Sequence, residues 1–306
     1  PFKIIKVLDT LKVNFLLNPL KYNLMKILNL KLVAFFFVST LLLVSCDNND
    51  TVEVSEQTTV DEAIALVEVD DVSDEVNNII DDFLVENEDF SKSSETEGKM
   101  EDILPCVTKT IVLTSTTKTV TLDFGEGCEL PSGNVLSGII MMSYAIDTEV
   151  HSLTITHTYE NFYFNEISIE GGNTIVRVRE NDNGSLESTI TFNTKLTWPD
   201  GVFASREGTK TREWIEGYDT RTFGDNIFLV TGNWITTFKD GTVLSANVLE
   251  PLRREMACRF IVSGVLELQK NDRVGTLDFG DGSCDNVAIF TNEDGVETEV
   301  ILRGGV

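Results

Sequence analysis

The strongest constraint on the fold is an apolar–polar alternation with a period of two, which recurs throughout residues 106–306. Ile190, Phe192, Leu196 and Trp198 fall on one side of such a stretch, and polar residues fill the positions between them. Successive side chains of a β-strand point to opposite faces, so this pattern predicts antiparallel strands with one buried face. Dipeptides that favour tight hairpin turns separate the stretches: Asn183-Gly184, Asp200-Gly201, Asp240-Gly241 and Asp294-Gly295.

We therefore predict that residues 106–306 form an all-β domain, an antiparallel meander that makes a curved sheet, a sandwich or a barrel. One short motif, an apolar residue followed by Ser or Thr and then Gly, ends at Gly138, Gly232 and Gly264. A glycine inside a strand marks a bulge or a bend, and several of them predict strong curvature. A second repeat, Leu-Asp-Phe-Gly, predicts a strand end followed by a tight turn at two places: Asp123 to Gly125 and Asp278 to Gly280.

The chain has five cysteines. Cys46 follows an apolar run, and the remaining four are an even number, which in an exported protein predicts disulfides. Three pairings are open. We prefer Cys106 with Cys128 and Cys258 with Cys284, because each pair brackets two alternating stretches whose open ends a hairpin brings together. A four-cysteine metal site would need closer spacing, so we expect no metal and no cofactor.

The first 45 residues predict export. Lys26 and Lys31 precede an apolar run of about 14 residues, the length of a secretory signal rather than of a membrane span. Leu-Val-Ser-Cys at its end resembles a bacterial lipobox, which implies lipidation of Cys46 and a signal peptide over 25–45. Residues 1–24 are then expected to be an upstream leader that is not part of the mature protein.

The residues after Cys46 predict the destination. Asp47 to Asp50 resembles the acidic export tag of Bacteroidota surface lipoproteins, which implies a surface-exposed lipoprotein of the outer membrane. An acid directly after the lipidated cysteine leaves open a periplasm-facing location. Asp50-Thr51-Val52 resembles the O-glycosylation signal of the same bacteria, which would place a glycan on Thr51.

Residues 46–105 contain 20 acids and two lysines, a composition that favours an extended stalk over a packed core. Within this acidic linker a helix is predicted over 71–87, because apolar residues recur there at spacings of three and four. Ser73 or Asp71 could cap it. Such a helix could dock on a partner or on its own β domain. We prefer a partly helical stalk between the anchor and the β domain.

Charge limits the function. The chain carries 24 basic and 50 acidic residues, a net charge of −26, which excludes nucleic-acid binding through phosphate contacts and attraction to anionic lipid headgroups. With only two histidines and no nucleophile elbow or phosphate loop, the sequence favours a non-enzymatic protein. Asp278, Asp281 and Asp285 could chelate Ca²⁺, but they lack the EF-hand spacing.

One stretch mixes aromatic and charged residues more densely than any other, and it supplies the predicted ligand contacts: Arg212, Glu213, Trp214 and Tyr218. Aromatic faces flanked by carboxylates can stack on sugar rings and bind their hydroxyls. The alternative is a strand end with a core Trp214. A glycosidase pair formed by Glu213 and Glu216 would need a defined separation, which the sequence does not fix.

Taken together, the lipobox, the acidic tag, the threonine-rich strands, the Leu-Asp-Phe-Gly repeats and the Trp-Ile-Glu-Gly-Tyr stretch resemble an uncharacterised family of Bacteroidota surface lipoproteins. The resemblance implies the location and an all-β fold, and no activity. We expect a surface-anchored, non-enzymatic lipoprotein that binds an extracellular glycan or an envelope protein, or has a structural role. The alternatives are a lipocalin-like carrier of an apolar ligand and a carboxylate-dependent glycan hydrolase.

Overall fold

The structure, a computed structural model, describes residues 58–87, 106–114, 117–130, 133–147, 152–218, 220 and 222–302. One α-helix, α1 (Val60–Asn87), precedes fourteen strands. The strands are β1 (Thr108–Leu113), β2 (Lys118–Asp123), β3 (Cys128–Glu129), β4 (Val135–Asp147), β5 (Ser152–Phe164), β6 (Ile167–Val178), β7 (Leu186–Thr197), β8 (Phe203–Glu216), β9 (Ile227–Phe238), β10 (Val243–Glu255), β11 (Ser263–Lys270), β12 (Arg273–Asp281), β13 (Val287–Thr291) and β14 (Glu297–Ile301). A short 3₁₀ turn, Phe223–Asp225, lies between β8 and β9.

The strands form one antiparallel sheet in which almost every strand pairs with its neighbour in sequence. The exception is β2, which pairs with β4 instead of with β3, and the short β3 also pairs with β4. β1 and β14 are the two ends of the sheet, which is curved and does not close. The predicted all-β antiparallel meander is confirmed, and of the three predicted architectures the structure has the curved sheet.

Glycines within the strands allow the sheet to bend. Gly138 has a φ of +82°, and the β4–β5 register shifts across it. A Cβ on Gly138 would lie 2.0 Å from the backbone oxygen of Asn161. Gly264 has the same arrangement, with a φ of +111° and a register shift between β11 and β12. The predicted bulges at these positions are confirmed.

We expect Gly138→Ala to destabilise the domain by about 3 kcal/mol or more, because the new methyl group combines a left-handed backbone with a backbone clash. Chemical denaturation monitored by tryptophan fluorescence measures the change. Gly184→Ala is the matched control, since Gly184 has a φ of +80° but no atom within 4 Å of its Cβ position. It should cost about 1 kcal/mol. Equal losses for the two variants would show that the close approach at Gly138 is unimportant.

Helix α1 begins with a capping box. The backbone N–H of Glu62 donates to Thr59 Oγ1 (3.2 Å), and the N–H of Thr59 donates to Glu62 Oε2 (2.9 Å). This reciprocal pair satisfies two donors at the helix start. The helix covers the whole predicted range of 71–87, but it begins at Val60 rather than at residue 71, and neither Ser73 nor Asp71 caps it.

Helix α1 packs on the buried face of the sheet. Its buried apolar residues share one core with the inward side chains of the strands: Ala63, Leu66, Val67, Val69, Val72, Val76 and Ile80. The described residues, the first of which is Thr58, form one compact unit. Of the two alternatives for the helix, the structure therefore has the one that docks on its own β domain, and residues 60–80 belong to that domain rather than to a separate stalk. Among the described residues, no helix has both the length and the apolar character that are needed to cross a bilayer.

The preferred cysteine pairing is confirmed. Cys106 is bonded to Cys128, and Cys258 is bonded to Cys284, with Cα atoms 5.4 Å apart in both pairs. Each disulfide closes a loop of moderate length, which stabilises a fold by about 3 kcal/mol in the chain-entropy model.

Candidate functional site

The inner face of β8 carries three buried cations. Arg206, Lys210 and Arg212 alternate with outward residues, so all three point toward α1. Each cation lies over an aromatic ring of an adjacent strand: Arg206 over Phe192 (4.8 Å to the ring centroid), Lys210 over Trp234 (4.4 Å) and Arg212 over Phe228 (4.2 Å). Such contacts contribute about 2 kcal/mol when water is excluded, and they fix the positions of the cations.

Helix α1 supplies the partners of these cations at a spacing of four residues, which places them on one helical face. Asp70 bonds Arg206 and lies 3.8 Å from Lys210 Nζ. Asp74 Oδ1 lies 3.3 Å from the same Nζ. Asn78 Oδ1 accepts a 3.0 Å hydrogen bond from Arg212 Nη2. We call the six residues the charge ladder: Asp70, Asp74, Asn78, Arg206, Lys210 and Arg212.

Burial and charge act in opposite directions on the carboxylates of the ladder. Burial raises the pKa of Asp70 even though Arg206 and Lys210 lie beside it. Burial would also raise the pKa of Asp74, but the surrounding cations outweigh it and hold that pKa below its usual range. Outside the ladder, burial raises the pKa of Glu75, whose Oε1 lies 3.6 Å from Arg254 Nη2. The ion pairs of Asp70, Asp74 and Glu75 with cations of the strands hold the helix on the sheet.

Little space remains between α1 and the sheet. The cavity there has a volume of about 60 Å³, enough for a few water molecules. Three buried polar atoms beside it have no hydrogen-bond partner among the described residues: Asn78 Nδ2, Asn173 Oδ1 and Arg206 Nε. In this conformation α1 fills the hollow that a lipocalin-like carrier would use for its ligand.

The outer face of the sheet carries two adjacent rows of uncharged side chains across β5 to β9. Thr174, Thr191 and Thr209 are direct neighbours in one row, and the hydroxyls of Thr191 and Thr209 lie 3.5 Å apart. The second row runs parallel to it through Thr189 and Thr211, whose hydroxyls are also 3.5 Å apart. We call these ten residues the threonine face: Thr154, Thr156, Thr174, Val176, Thr189, Thr191, Thr209, Thr211, Thr231 and Asn233.

An open cleft of about 920 Å³ lies where the start of β4 meets the β5–β6 turn. We call it the hairpin cleft. Its walls come from the segment before β3, the start of β4, the β5–β6 turn and the segment after β10. The side chains that line it include Glu126, Asn134, Tyr163, Asn165, Glu166 and Arg259. Tyr163 is 42% exposed. No motif in the sequence points to this cleft.

The predicted ligand contacts do not lie on one surface. Arg212 is buried on the inner face as part of the charge ladder. Trp214 is also buried, and its indole N–H donates to the backbone oxygen of Glu216 (2.7 Å). Glu213 faces outward, while Tyr218 is 40% exposed and packs edge-on against the Trp214 ring.

Two amide side chains donate hydrogen bonds to Glu213 and favour its charged form. Asn183 Nδ2 donates to Glu213 Oε1 at 2.9 Å and Asn181 Nδ2 donates at 3.1 Å. These hydrogen bonds lower the pKa of Glu213, whereas a catalytic acid of a glycosidase needs a raised one.

The other predicted residues fall into three groups. Cys46 and Thr51 lie outside the described residues. Asp123 and Asp278, from the repeated motif, each accept the backbone N–H of a glycine two residues later. The first motif ends β2 in a tight turn as predicted. The prediction is wrong for the second motif, because β12 continues through Gly280 to Asp281. Among the acids considered for Ca²⁺, Asp281 likewise accepts the N–H of Ser283. In the part of the chain that the structure describes, no three His, Cys, Asp or Glu side chains are arranged to hold a metal ion.

Comparison of the chain with protein-family models, with curated proteins and with solved structures finds no match in any of the three.

Proposed function

We propose that this protein is a non-enzymatic lipoprotein, anchored at the cell surface through Cys46, that binds a neutral extracellular polymer on its threonine face. The observation that carries the proposal is the threonine face itself. It spans five neighbouring strands without a charged side chain, in a chain whose net charge is −26.

The chemistry of this face suits a hydroxyl-rich polymer. Each threonine offers a hydroxyl that both donates and accepts hydrogen bonds, beside a methyl group that packs against apolar C–H surface. Neighbouring strands repeat these groups about every 4.8 Å. A polymer with a short chemical repeat can therefore make the same contact many times, which raises the total affinity without any strong single contact. The net negative charge disfavours polyanions as ligands.

The interior supports a binding role over an enzymatic one. The ladder carboxylates form ion pairs with buried cations, and α1 fills the hollow of the sheet. The lipid anchor and the surface location rest on the lipobox and on the acidic tag after it.

The test combines location with adsorption. Protease treatment of intact cells that produce the full chain should remove the β domain. The purified protein should adsorb to at least one insoluble neutral polysaccharide among cellulose, starch and β-1,3-glucan. Thr191→Glu should weaken that adsorption at least about fivefold, because the new carboxylate loses water without gaining a partner.

Thr276→Glu is the matched control. Thr276 lies on the outer face of β12, away from the threonine face, and this variant should adsorb like the unmodified protein. Equal adsorption of both variants would refute a role for the threonine face. Protection of the β domain on intact cells, with cleavage after disruption, would refute the surface location and favour the periplasm-facing alternative.

A further inference from the structure

Resting on the proposed function, we infer that the hairpin cleft is a binding site for a neutral hexose ring of that polymer, with Tyr163 as the stacking platform. The cleft has the volume of a small-molecule site and opens to solvent beside a tyrosine that is 42% exposed. A tyrosine ring offers a flat apolar face and a polar tip. The C–H bonds on one face of a hexose pack against such a ring.

The wall that carries Tyr163 is fixed by Asn165. Its Oδ1 accepts the backbone N–H of Val135 at 2.8 Å, and its Nδ2 donates to Asn134 Oδ1 at 2.8 Å. The backbone N–H of Asn165 also donates to the Val135 oxygen at 2.8 Å. The β5–β6 turn is thereby tied to the start of β4, so the cleft is formed before a ligand arrives, which lowers the entropic cost of binding.

The same turn keeps a costly backbone conformation. Glu166 has a φ of +68°, in the left-handed region that a glycine would occupy without strain. Residues held in this way cost about 1 kcal/mol or more and cluster at binding sites. Here the turn geometry places the Glu166 side chain on the cleft wall, opposite in charge to Arg259.

A disulfide lies close in sequence to each of two cleft residues. Cys128 lies two residues after Glu126, and Cys258 directly precedes Arg259. Each of these two wall segments is therefore tied to another part of the chain, the first through Cys106 and the second through Cys284. This bracing is expected of a site whose polar groups must hold their positions.

The polar groups of the cleft match sugar hydroxyls. Glu126 and Glu166 accept hydrogen bonds. The guanidinium of Arg259, whose Nη2 lies 3.7 Å from Asp71 Oδ2, donates through its other N–H groups. With two carboxylates and one guanidinium the cleft has a net negative charge, which disfavours uronic acids and sulfated sugars and leaves a neutral ring as the ligand.

The test is calorimetric titration of the purified protein with neutral hexose oligosaccharides, four to six sugars long, derived from each of the three polysaccharides above. Tyr163→Ala should weaken binding at least about tenfold. Tyr218→Ala is the matched control, since this tyrosine is 40% exposed but lies outside the cleft, and it should bind like the unmodified protein. Circular dichroism checks that both variants are folded.

The outcomes separate the two proposals. Adsorption to a polysaccharide that Thr191→Glu weakens, without oligosaccharide binding that Tyr163→Ala weakens, overturns the cleft inference and leaves the proposed function standing. Loss of binding in Tyr218→Ala instead of Tyr163→Ala also overturns the inference, in favour of the stretch around Trp214. Absence of both adsorption and oligosaccharide binding overturns both proposals. Cleavage of the oligosaccharides would overturn the non-enzymatic role.

Discussion

Asp70→Ala is expected to destabilise the domain by about 3–5 kcal/mol, because it leaves the buried guanidinium of Arg206 without its carboxylate. Arg206 is 2% exposed and lies over the Phe192 ring, so its charge stays out of bulk solvent when the carboxylate is lost. Urea denaturation at neutral pH measures the loss. The double variant Asp70→Leu, Arg206→Met should lose much less than the single variant, because replacing both members of a buried pair with apolar residues removes the desolvation cost together with the attraction.

The control is the exposed pair of Glu170 and Lys195, whose charged atoms are 3.7 Å apart and whose side chains are 64% and 43% exposed. Glu170→Ala should cost less than about 1 kcal/mol, since an exposed pair gains little in water. If Asp70→Ala costs no more than Glu170→Ala, helix α1 is not held on the sheet by the charge ladder, and its apolar contacts alone carry the docking.

The fold class was predictable because one property of the sequence determines it. A period of two places Ile190, Phe192 and Leu196 on the same face whatever the rest of the chain does. The bulges at Gly138 and Gly264 were predictable for a similar local reason, since a glycine inside a strand marks a positive φ or a close approach of another backbone. The cysteine pairs also follow from local hairpins.

The helix was half predictable. Its apolar spacing predicted that residues 71–87 are helical, but the start at Val60 was missed although Thr59-x-x-Glu62 is a capping box in the sequence itself. Its partners could not be found, because Asp70 and Arg206 are 136 residues apart and local periodicity carries no information about such pairs. One signal was present: Lys210 and Arg212 stand on the apolar side of an alternating strand, where a cation needs an acidic partner.

The hairpin cleft was not predictable for a related reason. Its walls come from segments around Glu126, Tyr163 and Arg259, which the meander brings together only after the sheet has curved. The stretch that looked most like a binding site, around Trp214, instead places its residues on alternate faces of one strand. Dense aromatic and charged residues in a strand are therefore divided between core and surface, and a binding surface is assembled across strands.

Val76→Asp is expected to cost more than about 4 kcal/mol and to abolish cooperative folding of the sheet. Val76 is 1% exposed in the centre of the face that α1 presents to the strands, so the new carboxylate would be buried among apolar groups without a partner. Near-ultraviolet circular dichroism should lose the signal of packed aromatic residues, and thermal unfolding should lose its sharp transition. Ala65→Asp, at a half-buried position of the same helix, should cost only about 0.5 kcal/mol in helix propensity.

This variant also decides between a structural helix and a displaceable one. If α1 is part of the core, Val76→Asp removes the helix that packs over Phe192, Leu266 and Phe279. The apolar surface exposed in this way should cause aggregation. If the sheet instead stays folded while α1 leaves it, the variant should remain monomeric, keep its cooperative transition and bind a fatty-acid probe that the unmodified protein does not bind. That result would contradict the structural role of α1 and support the carrier alternative, with the ladder cations free to bind the carboxylate of the probe.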